Sequence, residues 1–136
     1  MTIYVSNAFS LSMLPEWRTR PWDDGESENA EPLGASVLIT PVLRPEEFLN
    51  RRQEAGNEIQ SVVGHADTAA LFSSILNRPI KENRMLVALM ESDQLLVGQY
   101  MGPRLPEGCK TLPEGASISW LLVEVGDVTA INTDAM

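Results

Sequence analysis

Four short groups of residues carry the side chains with chemical potential in this chain, and the first holds its only histidine, His65. Imidazole is the one side chain whose unperturbed pKa, roughly 6.5, lets it give and take a proton near neutrality. His65 stands in Val62-Val63-Gly64-His65-Ala66-Asp67-Thr68, between a strand-like run and a helix-like run. A glycine at such a junction leaves backbone N–H groups free at the positive end of a helix dipole, an arrangement that takes an anion. The pattern offers a phosphate cradle at Gly64 beside a proton donor. Taken alone it also suits a polar cap or a packed histidine, and both readings stand at this level.

The second group is Asn7 and Ser10, an amide and a hydroxyl at the first strand-to-helix turn, which taken alone read as simple caps and in company with the other groups as ligand contacts. The third is Glu82-Asn83-Arg84, ahead of an apolar run, where Arg84 either clamps a phosphate or pairs with a surface acid. The fourth is Pro103-Arg104-Leu105-Pro106-Glu107-Gly108. Arg104 and Glu107, three apart on a proline-stiffened turn, present a cation and a carboxylate to one cleft or form the charged tip of a β-turn. Leu-Pro-Glu-Gly recurs at 112–115. Only the first copy follows an arginine, which favours Glu107 over Glu114, and the repeat reads as two similar turns. Cys109 lies close by, but its flanks carry no thiol-enzyme signature to make it a partner of His65.

Other chemistries lack their residues. There is no phosphate loop of the Walker type, no dinucleotide fingerprint and no zinc spacing of histidines and acids. With one cysteine and one histidine, a disulfide framework or structural metal is not expected, and no cofactor is implied.

The elements that must position these groups follow from periodicity. Ile3 to Val5 reads as a strand, and Leu11 to Leu14 as a helical turn stopped by Pro15. Residues 16–34 form an acidic arm or loop bearing Trp17 and Trp22, with the tryptophans as anchors to the body or to a partner. Ala35 to Val42 is a strand, and a helix with Pro45 and two acids in its first turn runs to about Ala55 before Gly56. Ile59 to Val63 is the next strand, and Asp67 to Asn77 a helix closed by Pro79. Met85 to Met90 and Leu95 to Met101 read as a hairpin around Glu91-Ser92-Asp93-Gln94, and Ser117 to Val125 as the last strand before a loose tail from about 126. That order predicts an α/β (α+β) fold: one domain in two layers, a mixed sheet of five to six strands with helices packed on it.

At 136 residues the chain is long enough for one ordinary core. A formal net charge of −9 argues against binding long nucleic acid, which rewards clustered cations. A small anionic ligand remains compatible, because a few arginines and amides in a cleft outweigh an acidic exterior that salt screens. No run approaches the roughly 18 apolar residues of a membrane span, and Met1-Thr2-Ile3-Tyr4-Val5 carries no basic or long apolar stretch. A cytoplasmic, reducing location is expected.

In sequence order, Ile3-Tyr4-Val5-Ser6-Asn7-Ala8-Phe9-Ser10-Leu11-Ser12-Met13-Leu14, Gly64-His65 with Asp67-Thr68, Lys81-Glu82-Asn83-Arg84 and Arg104-Leu105-Pro106-Glu107-Gly108 resemble the viral ring nucleases, anti-CRISPR proteins that act on type III CRISPR signalling. The first block is the most specific, and the four span residues 3 to 108. The resemblance implies a homodimer that encloses cyclic tetra-adenylate and cuts it, without a metal, into linear di-adenylates. It assigns His65 as the catalytic histidine, Glu107 as the assisting carboxylate and Arg104 as the arginine of the same turn. Asn7, Ser10, Gly64 and Arg84 then line the ligand pocket. The chain departs from the family pattern in its longer arm at 16–34, in Pro103 where glutamine is more usual, and in a segment after Glu107 too short for the helix often found there. Two other classes fit the same residues: a non-catalytic binder that sequesters or senses a cyclic oligonucleotide, and an adaptor that uses the arm to hold a protein.

Overall fold

A computed structural model describes residues 2–10, 13–14, 36–90 and 92–126, and one mixed sheet runs through it. Its strands are β1 (Thr2–Ser6), β2 (Ser36–Pro41), β3 (Glu58–Ser61), β4 (Gln94–Met101) and β5 (Ser117–Gly126), in the order β2-β5-β4-β1-β3. β1 pairs in parallel with β3 and β4, whereas β5 runs antiparallel to β4 and β2. With two helices among the described residues, α1 (Pro45–Glu54) and α2 (Ala66–Leu76), this is the single-domain α+β fold that the pattern predicts. The expected arm at 16–34 and the tail beyond 126 lie outside the described residues.

Both helices form where local chemistry favours them. α1 has proline at its start, Glu46 and Glu47 in its first turn and Arg51 and Arg52 in its last, each charge opposing the helix dipole. α2 has Asp67 in its first turn and ends where Asn77 adopts a left-handed conformation, φ 52° and ψ 46°. Ala69, Phe72 and Leu76 recur at helical spacing and enter one core with Ile3, Val5, Leu49 and Leu96. Ser73 ties the end of α2 to the following chain: its hydroxyl oxygen accepts the Ile80 N–H at 2.9 Å and sits 2.8 Å from the Ala69 carbonyl, to which it donates.

Leu95, Leu96 and Val97 are consecutive and all buried, so both faces of β4 are covered. The helices take one face. The other is covered by irregular chain, with Leu14, Val87 and Leu89 packed on Leu95, Val97, Val123 and Val125. Burial on this face pushes the Tyr4 hydroxyl above its ordinary pKa, and the carboxylates of Asp93 and Glu58 add in the same direction.

The predicted hairpin of 85–90 with 95–101 does not form. The Asp93 N–H does donate to the Met90 carbonyl at 2.9 Å. Both edges of β4, however, are taken by β1 and β5. Residues 85–90 instead lie extended over the sheet, Val87 and Leu89 inward and Leu86 and Met90 outward. Such a segment has the same two-residue burial period as a strand, so the sequence pattern does not separate them.

Candidate functional site

β1, β3 and β4 run in one direction, and the chain leaves all three at the same edge of the sheet. Asn7 follows β1, Gly64 and His65 follow β3, and the loop 102–116 follows β4. This is the edge at which parallel strands place ligand crevices.

Gly64 is the point on which the predicted residues converge. Its N–H donates to Asn7 Oδ1 at 3.3 Å, and its carbonyl accepts from Arg84 Nε at 2.8 Å. The Gly64 amide that the sequence offered to an anion is therefore already used by Asn7. The amides that follow remain suited to the task, since the first N–H groups of α2 have no acceptor within the helix. His65 is the N-cap of α2 in an extended conformation, φ −134° and ψ 133°, and its imidazole makes no capping bond. Its carbonyl accepts the Ala69 N–H at 2.9 Å, so the helix begins without help from the side chain. Of the two readings open at the sequence level, capping and packing are not what this exposed ring does. Among the described residues it has neither a hydrogen bond nor an ion pair.

Beside Gly64 opens a shallow groove of about 420 Å³ with Asn7, Gly64 and Arg84 on its polar side and Met13, Met85 and Leu86 on its apolar side. Arg84 uses Nε on the Gly64 carbonyl, which leaves both terminal amino groups for an anion. Ser10 lies three residues beyond Asn7, exposed, with its carbonyl accepting the Met13 N–H.

Arg104 and Glu107 are not joined to this cluster. Ser6 pairs with Val97, yet β4 continues to Met101, so the loop after it starts roughly 13 Å past the end of β1 at about 3.3 Å per residue. Both side chains are exposed, and among the described residues neither forms an ion pair or hydrogen bond. The two Leu-Pro-Glu-Gly copies fold as two similar turns: Cys109 N–H donates to the Pro106 carbonyl, Ala116 N–H to that of Pro113, with Gly108 and Gly115 at φ 73° and 81°. Positive φ at the third turn position is what glycine supplies. The Cys109 thiol donates to the Thr111 carbonyl at 2.8 Å and does not contact His65. No helix occupies 102–116.

Sequence reasoning passed over Ser61 and gave no role to Asn83, though it stands in the third group; both hold the approach to Gly64. Asn83 N–H donates to the Val63 carbonyl at 2.7 Å and its side-chain amide to the Ser61 carbonyl at 2.8 Å. No periodicity marks either residue; the only available signal was the neighbour of Arg84. Among the described residues no three of His, Cys, Asp and Glu converge as metal ligands, and no helix is long and apolar enough to cross a membrane.

Residues 37–115 match the model of a family described as STIV B116-like. Among solved structures, B116 of Sulfolobus turreted icosahedral virus is similar, with a TM-score of 0.63 and 22% identity over 91% of this chain and 99% of that one. At that identity the likeness concerns the fold. No curated protein matches the chain.

Proposed function

The chain belongs to the STIV B116-like family, and for this member we propose a metal-independent ring nuclease that binds cyclic tetra-adenylate between two copies of the chain and cleaves it to linear di-adenylates. The observation that carries the reading is the unengaged imidazole of the only histidine at the start of α2, one residue from a glycine held by Asn7 and Arg84. The four sequence blocks shared with viral ring nucleases supply the substrate; the site supplies groups suited to the reaction.

The chemistry needs no external nucleophile. A ribose 2′-hydroxyl attacks the adjacent phosphorus in line, the bond to the 5′-oxygen breaks, and a 2′,3′-cyclic phosphate forms. The protein has to fix that geometry, stabilise charge on the phosphate and protonate the departing oxygen. His65 is the proton donor. The α2 amides and Arg84 hold the phosphate, Arg104 adds positive charge, and Glu107 orients the ring or accepts the 2′-hydroxyl proton. Asn7 and Ser10 contact the ligand. A two-fold axis presents the same residues twice to a ring of repeated phosphates, one cut on each side. The activity would belong in the cytoplasm where the messenger is made, lowering type III CRISPR signalling.

Arg84→Ala is expected to weaken ring binding roughly 10- to 100-fold, the loss of one charge-assisted contact of about 1.5–3 kcal/mol, read by calorimetric titration. Arg84→Lys keeps the charge but not the forked donor and should recover only part of that loss.

One observation favours a binder over an enzyme: within the chain neither Arg104 nor Glu107 lines the groove beside Gly64, and neither makes a hydrogen bond or ion pair among the described residues. Incubation with cyclic tri-, tetra- and hexa-adenylate in EDTA, followed by product separation, decides between them. Linear di-adenylates from the tetramer support the nuclease; saturable binding with no product supports the binder; deletion of 18–34 as the sole loss of function supports an adaptor.

A further inference from the structure

Resting on the ring-nuclease reading, we propose that Asn83 is a positioning residue for His65, fixing the catalytic turn through the carbonyls of Ser61 and Val63. β3 is the outermost strand and its regular pairing ends at Ser61, four residues before His65. Beyond Ser61 the segment is tied to β1 by the Val62 N–H on the Val5 carbonyl at 2.8 Å and the Gly64 N–H on Asn7, while the carbonyls of Ser61, Val63 and Gly64 are held from the other side. Residues 81–84 supply that second hold. The Ser61 hydroxyl donates to the Lys81 carbonyl at 2.6 Å, Val63 and Glu82 form an isolated parallel bridge, and Arg84 reaches the Gly64 carbonyl.

Asn83 is the member of this strap that grips twice. Its main chain holds the Val63 carbonyl and its side-chain amide holds the Ser61 carbonyl, at 2.7 and 2.8 Å. The amide nitrogen also lies 3.2 Å from Met85 Sδ, on the apolar wall of the groove. One side chain thus sets the relation between the turn that carries His65 and the wall against which a ligand rests. Arg84 and Asn7 bind Gly64 from other directions, so loss of the Asn83 side chain leaves their hydrogen bonds to Gly64 in place. What it removes is the aim of the imidazole at the leaving oxygen, to which rate is steeply sensitive.

The test uses Asn83→Asp, which keeps the shape but replaces the donating NH2 by an oxygen facing the Ser61 carbonyl, with Asn83→Ala as a second variant. Rates are referred to folded protein counted by ring-binding stoichiometry. kcat on cyclic tetra-adenylate is expected to fall roughly 10- to 100-fold in both variants, while KM and the affinity measured in a His65→Ala background change less than about threefold. Because the chain has one histidine, its imidazole resonances are unambiguous, and they should shift in both variants. A kcat within about twofold of the parent per folded molecule, or kcat and KM moving together, overturns the proposal. Absence of cleavage by the unaltered chain overturns the ring-nuclease reading and this inference with it; normal cleavage by Asn83→Asp overturns the inference alone.

Discussion

His65→Ala is expected to slow cleavage of cyclic tetra-adenylate by on the order of 10²- to 10⁴-fold, the usual contribution of a positioned general acid. Ring binding should change little, because the anion contacts assigned to Arg84 and the α2 amides do not pass through the imidazole. The fold should also survive. His65 is exposed, makes no cap bond to α2, and contributes to helix initiation only through its main chain. A melting temperature close to that of the parent, with kcat lost and affinity kept, is the expected signature; equal losses of affinity and rate would make His65 a binding residue instead.

The largest expected effect on stability comes from Phe72→Ala. Phe72 is fully buried, its ring 4.8 Å from that of Trp120 and inclined at 52°. The two rings meet over Gly98, where a Cβ would stand 2.6 Å from Phe72 Cζ and 2.7 Å from Trp120 Cζ3. Glycine at that position of β4 is what allows α2 to settle on the sheet, and the ring of Phe72 fills the space so created. Truncation to alanine should cost about 3–5 kcal/mol through lost transfer energy and a cavity that rigid neighbours cannot close. That is a large share of the 5–15 kcal/mol typical of a domain. At about 3–4 °C per kcal/mol for a chain of this length, the melting temperature falls by roughly 10–20 °C. Urea unfolding with an unchanged m-value and a lower midpoint checks it; a midpoint close to the parent's would mean that the ring is not the anchor of α2.

The elements of this fold were legible where one local rule dominates. Pro45 with the acids after it marks α1, and Asp67 and Pro79 bracket α2. Residues 85–90 were misread because burial every second residue describes any extended chain on an apolar surface, paired or not. Which strands pair is a non-local fact, and nothing in Leu95-Leu96-Val97 announces that β1 occupies the edge meant for 85–90. The site divides along the same line. His65 and Gly64 declare themselves through the strand-to-helix junction, and Asn7 through the turn after β1. Their convergence depends on β1 lying beside β3, which fixes the 3.3 Å contact of Asn7 with Gly64. Asn83 was hidden beside Arg84, since a hydrogen bond to a main-chain carbonyl twenty-two residues away leaves no mark on sequence.

The central claim, that His65 protonates the departing 5′-oxygen, is tested most directly with a cyclic tetra-adenylate in which sulfur replaces the bridging 5′-oxygen. A thiolate leaves without a proton, so this ring does not need the acid. The parent chain is expected to cut both rings in EDTA, and His65→Ala to cut the sulfur ring at close to the parent rate while remaining on the order of 10²- to 10⁴-fold slow on the oxygen ring. An equal deficit of His65→Ala on both rings, or none on either, would contradict the account.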